Sequence, residues 1–354
     1  MLFARLKLVF PMTTLFLALT TTGCGTFIAH RMTDAPNRYP GWLARKAPVT
    51  LAFSSDFLTN WPAQYVDAGP PQARLCYRIV EPADFHLKVS TTNWTDHGKA
   101  HFRFSFHADM PGVANMWSGA PRGTVILLHG YALGQFAMTP WALRLAEEGW
   151  RCVLVDLRGH GDSTGKQIFY GLKETNDLSQ LLDVLSTQGE LQSPVAALGE
   201  SYGAALALRW KVSEPRLDSV VAIAPYAVLS NSVLNLCEEY AGWIPQFLLR
   251  AGINQLPSVL NAEPGSLDII TVMAKSPVEA LFVAGTADKI TPPNDVEQLQ
   301  QLASPESELL MLIDATHEAL PYYFENLVPP VMNWLEQSTK AGNAESARQT
   351  TSSR

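Results

Sequence analysis

Residues Val195-Ala196-Ala197-Leu198-Gly199-Glu200-Ser201-Tyr202-Gly203-Ala204-Ala205-Leu206-Ala207-Leu208 decide how this chain folds. The apolar run Val195 to Leu198 reads as a buried strand, and Ala204 to Leu208 reads as a helix. Between them lies Gly-x-Ser-x-Gly. A strand-to-helix turn of this kind forces its serine into a strained, exposed conformation above the sheet edge. The flanking glycines fit because a side chain at either position would clash with the neighbouring strand or helix. The helix starts at the serine, and its free N–H groups and positive dipole end favour developing negative charge. Ser201 is therefore the candidate nucleophile. The plainer reading, an ordinary N-cap serine, leaves the matching downstream loops as coincidence.

A nucleophilic serine needs a base, and the base needs an orienting acid. Val278 to Val283 is a second buried-strand run, followed by Ala284-Gly285-Thr286-Ala287-Asp288. Asp288 sits in the loop just past that strand. Leu309 to Ile313 is another apolar strand, ending in Asp314-Ala315-Thr316-His317. His317 again lies in a loop past a strand. Asp156 ends the strand Cys152–Asp156 and competes as the acid; Asp288 is favoured. His129 and His160 compete as the base. His129 reads as a residue that shapes its loop, and His160, between glycines, as a turn stabiliser. Glu200 reads either as a group that tunes the site or as a hydrogen-bonded loop residue.

The upstream half is consistent. Thr124 to Leu128 is a continuous apolar strand that ends in His129-Gly130-Tyr131, and Asp156 runs into Leu157-Arg158-Gly159-His160-Gly161-Asp162-Ser163. With these elements and the order Ser201, Asp288, His317, the chain resembles the α/β-hydrolase superfamily, in particular its lipase/esterase-like and serine-aminopeptidase-like branches. The resemblance covers residues 120 to 337. It implies an α/β fold with a mostly parallel central sheet, antiparallel leading strands, helices on both faces and a small helical cap or lid insert. It also implies that the backbone N–H groups of Tyr131 and Tyr202 form the oxyanion hole. Such preset donors typically contribute about 3–4 kcal/mol each.

The leading strands are expected at Leu75–Val80, at Phe85–Ser90 and at His101–His107, where phenylalanines alternate strictly. Helices are expected near Phe136–Glu148, Glu174–Thr187, Tyr202–Val212, Asn294–Ala303 and Tyr322–Gln337. The last contains Pro329-Pro330 and must start late or kink there. About 50 residues separate the strand Ser219–Ile223 from Val278, more than a plain crossover needs. Within this insert, about residues 229–275, Trp243 and Phe247 belong to a run of large apolar side chains. They form either an apolar wall over the serine that binds substrate, or a helix face packed on the core.

The ends of the chain speak to location. Arg5 and Lys7 precede an apolar stretch from Leu8 to Leu19, which is too short to span a bilayer comfortably. Residues 1–23 therefore read as a signal peptide. Gly23-Cys24 after that stretch resembles the lipobox of bacterial lipoproteins, with Thr21 where leucine is commonest. The resemblance implies lipidation of Cys24 and a lipid anchor in the cell envelope. Gly25, where an aspartate favours the inner membrane, points to the outer membrane; secreted or periplasmic protein is the alternative. Residues 24–70, rich in proline, are expected to be an irregular tether, 71–339 the α/β-hydrolase domain, and 340–354 a disordered tail.

Net charge is −7, which argues against a nucleic-acid partner. No cysteine–histidine spacing suits zinc, no phosphate-binding Gly-rich loop is present, and no metal or organic cofactor is implied. Cys152 reads as buried filler. Cys76 and Cys237 are free to pair in an oxidising compartment, a matter of proximity that sequence does not fix. The expected activity is hydrolysis of small carboxylic esters, with an apolar acyl group, through an acyl-enzyme. The alternatives are an aminopeptidase or amidase on the same fold, and a non-catalytic binding lipoprotein.

Overall fold

Short apolar strands separated by helices pair in parallel, because each connection carries the chain back to the same end of the sheet. The computed structural model describes residues 23–38, 49–51, 55–96, 99–112 and 115–337. The signal-peptide reading (apart from Gly23) and the tail reading lie outside these residues. Helix α1 (residues 23–33) leads to β1 (Val49–Leu51), β2 (Gln64–Ala68), β3 (Ala73–Val80), β4 (Lys88–Asp96), β5 (Lys99–His107) and β6 (Thr124–Leu128). There follow α2 (Thr139–Glu147), β7 (Arg151–Val155), α3 (Glu174–Thr187), β8 (Val195–Glu200), α4 (Tyr202–Ser213) and β9 (Leu217–Ile223). Helices α5 (Leu229–Ala241), α6 (Gln246–Val259) and α7 (Ile269–Lys275) form the cap insert. The chain then continues through β10 (Leu281–Gly285), α8 (Pro293–Gln301), β11 (Glu308–Leu312) and α9 (residues 324–337).

The main sheet has the order β11-β10-β9-β8-β6-β7-β3-β2. From β7 to β11 neighbours run parallel, while β3 lies antiparallel to β7 and β2 antiparallel to β3. A smaller sheet has the order β1-β5-β4. Every residue of β6, β8 and β10 is buried. Strands covered on both faces have no polar side, which is why they read as unbroken apolar runs. Successive side chains still part to opposite faces. Ile126 and Leu128 join the core under α3, α4 and α8, whereas Val125 and Leu127 join the core under α2 and α9. Phe102 and Phe104 of β5 enter that second core.

Several elements depart from expectation. The stretch Phe85–Ser90 becomes strand only at Lys88, because Phe85 turns into the core instead. The first turn of the expected helix at Phe136 is a 3₁₀ turn, Gln135–Met138, and α2 proper starts at Thr139 with Pro140 in its first turn. Helix α9 runs unbroken through Pro329 and Pro330. The carbonyls these prolines leave without a helical donor belong to Glu325 and Asn326, both exposed, so water can solvate them.

The largest departure is at the start. Where an irregular tether is expected over residues 24–70, residues 24–33 are helical and seated on the domain, and β1 and β2 pair into its two sheets. Ala29, Thr33 and Ala35 are fully buried. The Ile168 N–H donates to Thr33 O at 2.8 Å, and Tyr170 Oη donates to Met32 O at 2.6 Å. Gly25 also acquires a packing reason. A β-carbon there would lie 2.7 Å from Ala251 O on α6.

One ionic pair ties the turn after β7 to α3. Arg158 Nε and Nη2 donate to Asp177 Oδ2 and Oδ1, each at 2.7 Å, with both side chains only 1% exposed. Burial pushes the Asp177 carboxyl up and Arg158 opposes that shift. Removing one partner of such a pair strands a buried charge. Asp177→Ala should therefore cost about 3–5 kcal/mol in denaturant unfolding, and Arg158→Met with Asp177→Leu should recover most of it. A double variant no more stable than the single one would show that the pair also serves packing that apolar groups cannot replace.

Candidate active site

One residue, Ser201, separates the end of β8 from the start of α4. Its φ of 50° and ψ of −110° lie outside the regions an L-residue normally occupies, a strain of about 1–3 kcal/mol. The backbone around it forbids relaxation. Ser201 N–H donates to Ile223 O at 2.8 Å, and Ser201 O accepts the Ala205 N–H at 3.0 Å. The two glycines of the turn are steric necessities. A β-carbon on Gly199 would lie 2.3 Å from Gly203 O, and one on Gly203 would lie 2.2 Å from Leu128 O. Helix α4 thus packs on the sheet at backbone contact, with Ala204, Ala205 and Ala207 continuing the close approach.

The loops after β10 and β11 bring the other two residues to this point. His317 Nε2 lies 2.9 Å from Ser201 Oγ, and His317 Nδ1 lies 2.8 Å from Asp288 Oδ2. Asp288 accepts hydrogens only, so Nδ1 carries the proton and Nε2 presents its lone pair to the hydroxyl. Asp288 is buried and held in place. Its Oδ1 accepts the N–H groups of Ile290 (2.9 Å) and Thr291 (2.8 Å). Thr291 Oγ1 lies 2.9 Å from Asp288 Oδ2 and 3.2 Å from Ala224 O. Thr291 is a positioning residue that the sequence reading passed over. The available signal was the Asp-x-x-Thr spacing, in which an aspartate caps its own loop and the threonine three residues on returns to the carboxylate.

The rival residues have other work. Asp156 Oδ1 accepts the Gln135 N–H at 2.7 Å, and its Oδ2 accepts Gln135 Nε2 at 2.8 Å and the Asp162 N–H at 2.9 Å. It braces a turn. Its proximity to Cys76 and Asp162 follows from that brace: ligand atoms of the three lie within 4.8 Å of one another. His129 Nδ1 donates to Gly130 O at 2.8 Å, and its Nε2 accepts the Leu157 N–H at 3.1 Å. Burial pulls its imidazole down to about 4. His160 Nδ1 sits 2.9 Å from Arg158 O, and burial pulls it down to about 3. Both are neutral wall residues.

Glu200 is 3% exposed, and its Oε1 accepts the Gly130 N–H at 3.1 Å. Burial pushes its carboxyl up to about 7, against the opposing pull of the Gly130 N–H and of His317. Gly130 lies against Ser201: a β-carbon on it would sit 3.7 Å from Ser201 Cβ. Glu200 therefore clamps the residue that precedes Tyr131, one of the two expected oxyanion donors. The other, Tyr202, opens α4, and the Tyr131 and Tyr202 rings pack edge to face at 6.3 Å.

The cap is fastened to the site loops. Asn235 Nδ2 of α5 donates to Ile290 O at 3.2 Å, and Tyr240 Oη at its far end bonds Glu318 Oε1 beside His317. Trp243 and Phe247 do not pack on the core; they are 77% and 68% exposed. All four cysteines are free thiols, so Cys76 and Cys237 are unpaired with each other, and Cys24 is exposed on α1.

Residues 119–270 match the model of the family Hydrolase_4, serine aminopeptidase S33. The uncharacterized protein YqkD of Bacillus subtilis is 28% identical over 112 residues, which are 31% of this chain and 37% of that protein. The chain thus spans little more than a third of that relative's length. The uncharacterized protein YfhR of Salmonella typhi is 25% identical over 230 residues, 62% of this chain and 73% of its own. Among solved structures, an esterase of Pyrococcus furiosus superposes with a TM-score of 0.56 at 18% identity, covering 82% of this chain and 97% of that one. Acetyl xylan esterase 1 from Thermoanaerobacterium superposes with a TM-score of 0.53 at 18% identity, covering 81% and 86%. The sheet order, the strained serine between β8 and α4 and these structural matches together give the chain an α/β-hydrolase fold, and its residues 119–270 resemble the Hydrolase_4 family.

Proposed function

We propose that the protein is a serine hydrolase that cleaves small carboxylic esters through an acyl-enzyme. The observation that carries this is the continuous Ser201–His317–Asp288 contact at 2.9 and 2.8 Å. His317 Nε2 takes the Ser201 proton as Oγ attacks the ester carbonyl. Asp288 stabilises the imidazolium that forms. The N–H groups of Tyr131 and Tyr202 receive the oxyanion, and His317 returns the proton to the leaving alkoxide. Water then attacks the acyl group by the same proton path in reverse. No metal or organic cofactor enters this scheme. Amide or peptide cleavage, suggested by the name of the matching family, is the second reading. An aminopeptidase needs a free carboxylate for the substrate's amine. Glu200 and Glu318, which flank the site residues in sequence, are already engaged by Gly130 and Tyr240.

For location we propose a lipid anchor on Cys24, in the outer membrane or, failing lipidation, a secreted or periplasmic protein. The exposed thiol at the start of α1 is accessible to acylation. Gly25 bears less on sorting than the sequence suggests, because α6 leaves no room for a side chain there.

A fluorophosphonate should label Ser201, and a panel of acyl esters beside aminoacyl amides should show ester turnover. Ser201→Ala and His317→Ala should each lower kcat by at least ~10³, because members of such a set act as a unit. Asp288→Asn should be far more damaging than Asp156→Asn. Preferred cleavage of aminoacyl amides would favour the second reading, and a labelled residue other than Ser201 would overturn both.

Thr291→Val is nearly isosteric and removes the hydroxyl that contacts Asp288 Oδ2, Ala224 O and His317 Nδ1. It should lower kcat more than it changes KM, with the melting temperature held within a few degrees. An unchanged kcat would show that the two backbone donors fix Asp288 by themselves.

Glu200 sets a pH dependence of stability. Its carboxyl is raised from 4.5 to about 7 on folding, so the native state holds a proton the unfolded chain gives up. Stability should fall as pH rises from 4.5 to about 7 and then level, by about 3 kcal/mol in total. Glu200→Gln keeps an acceptor for Gly130 and cannot ionise, so it should remove this fall. The same slope in both proteins, measured by denaturant unfolding across pH, would assign the dependence elsewhere.

A further inference from the structure

Helix α5 of the cap reaches the acid loop at one peptide group. Asn235 Nδ2 donates to Ile290 O at 3.2 Å. That carbonyl and the Thr291 N–H belong to the same planar peptide unit, so fixing one end fixes the direction of the other. The Thr291 N–H is one of the two backbone donors to Asp288 Oδ1, at 2.8 Å. The peptide is thus gripped from both sides, by the cap at its oxygen and by the acid at its nitrogen. Ile290 and Thr291 are 5% and 1% exposed, so the peptide between them depends on protein partners. A hydrogen bond accepted by a carbonyl also polarises the N–H of the same unit and strengthens the bond it gives. From there the contacts run through Asp288 Oδ2 to His317 Nδ1 at 2.8 Å.

The rest of α5 holds Asn235 in place. Asp268, just before α7, accepts the Leu229 N–H at 2.9 Å and so ties down the first turn of α5. Glu239 follows Asn235 by one turn on the same face and lies 3.6 Å from Lys289. The side chains of that pair are 41% and 76% exposed, so it contributes little. At the end of the helix Tyr240 Oη bonds Glu318 Oε1, next to the base. We propose that Asn235 is a positioning residue: through the Ile290–Thr291 peptide it aims a backbone donor at Asp288, and so sets the alignment of Asp288 with His317. The cap then takes part in aligning the proton relay, apart from any contact it makes with substrate. This rests on the serine-hydrolase reading above and adds to it a residue outside the three that carry the chemistry.

The test uses the full chain. Asn235→Ala removes the donor at a helix position where alanine is well tolerated, and Asn235→Leu keeps more of the volume. Each should lower kcat on the best ester of the panel ~5-fold, the order of one hydrogen bond carried into the barrier. KM and the melting temperature should change little. In an Asp288→Asn background the same substitutions should cost nothing further, because Asn235 acts only through the acid. The downfield proton resonance of the His317 Nδ1–H reads the Asp288–His317 bond without any substrate, and both variants should move it upfield. Glu239→Gln removes the exposed pair alone and should leave kcat and the resonance as they are. An unmoved resonance in both Asn235 variants, a cost undiminished beside Asp288→Asn, or an equal loss in Glu239→Gln overturns the proposal. A parent chain that takes no fluorophosphonate removes the hydrolase reading, and the resonance then decides the positioning of Asp288 by itself.

Discussion

The backbone contact between α4 and the central strands is the constraint on which the site depends. Ser201 can hold φ at 50° only because the chain on either side is locked. Upstream, β8 is paired on both edges, with β6 and β9. Downstream, Gly203 presses against Leu128 O and His129 O at the end of β6. The Ser201 N–H is held by the end of β9. Three strand ends thus fix one serine. The loops carrying Asp288 and His317 leave the same carboxyl edge of the same parallel sheet, where ligands of open α/β sheets are bound. A larger residue at either glycine would separate helix from sheet before it touched the chemistry.

The carboxylates around this edge differ by what surrounds them rather than by distance along the chain. Asp288 is buried with two backbone donors, a threonine hydroxyl and an imidazole N–H about it, so both of its oxygens are met. Glu200, adjacent to the serine, has one backbone donor and is pushed toward the neutral form. Asp156 is spent on a turn. Hydrogen-bond supply therefore selects the partner of the histidine. It also leaves Glu200 suited to holding Gly130 in place without placing a full negative charge beside Ser201, where the proposed reaction would develop an oxyanion.

Much of this was legible before any coordinates. The buried strands β6, β8 and β10 have one-sided composition, and a continuous apolar run has no other stable place than the middle of a covered sheet. The elbow carried its own sterics in Gly199 and Gly203. Asp288 and His317 were visible because each follows such a strand. What did not show was anything set by packing between distant segments. The docking of α1 depends on Gly25 meeting Ala251 and on Ile28 meeting Gly252, contacts across more than 200 positions with no local period. Proline content near residues 36–40 suggested a tether, while the helix just before it reads as weakly as any short amphipathic segment. The exposure of Trp243 and Phe247 was likewise hidden, since an apolar residue in an insert signals burial by composition and reveals its face only when the helix is placed.

The placement of the cap has a consequence for the site. Helix α5 is bound at its middle to the acid loop, through Asn235 and Ile290, and at its end to the residue after the base, through Tyr240 and Glu318. Its link to α6 carries Trp243, and α6 carries α1. The loops carrying Asp288 and His317 are thus each bonded to the cap, whereas Ser201 is held by strand ends and α4. Half of the Glu318 interaction is itself pH-sensitive, because burial pushes that carboxyl up to about 6.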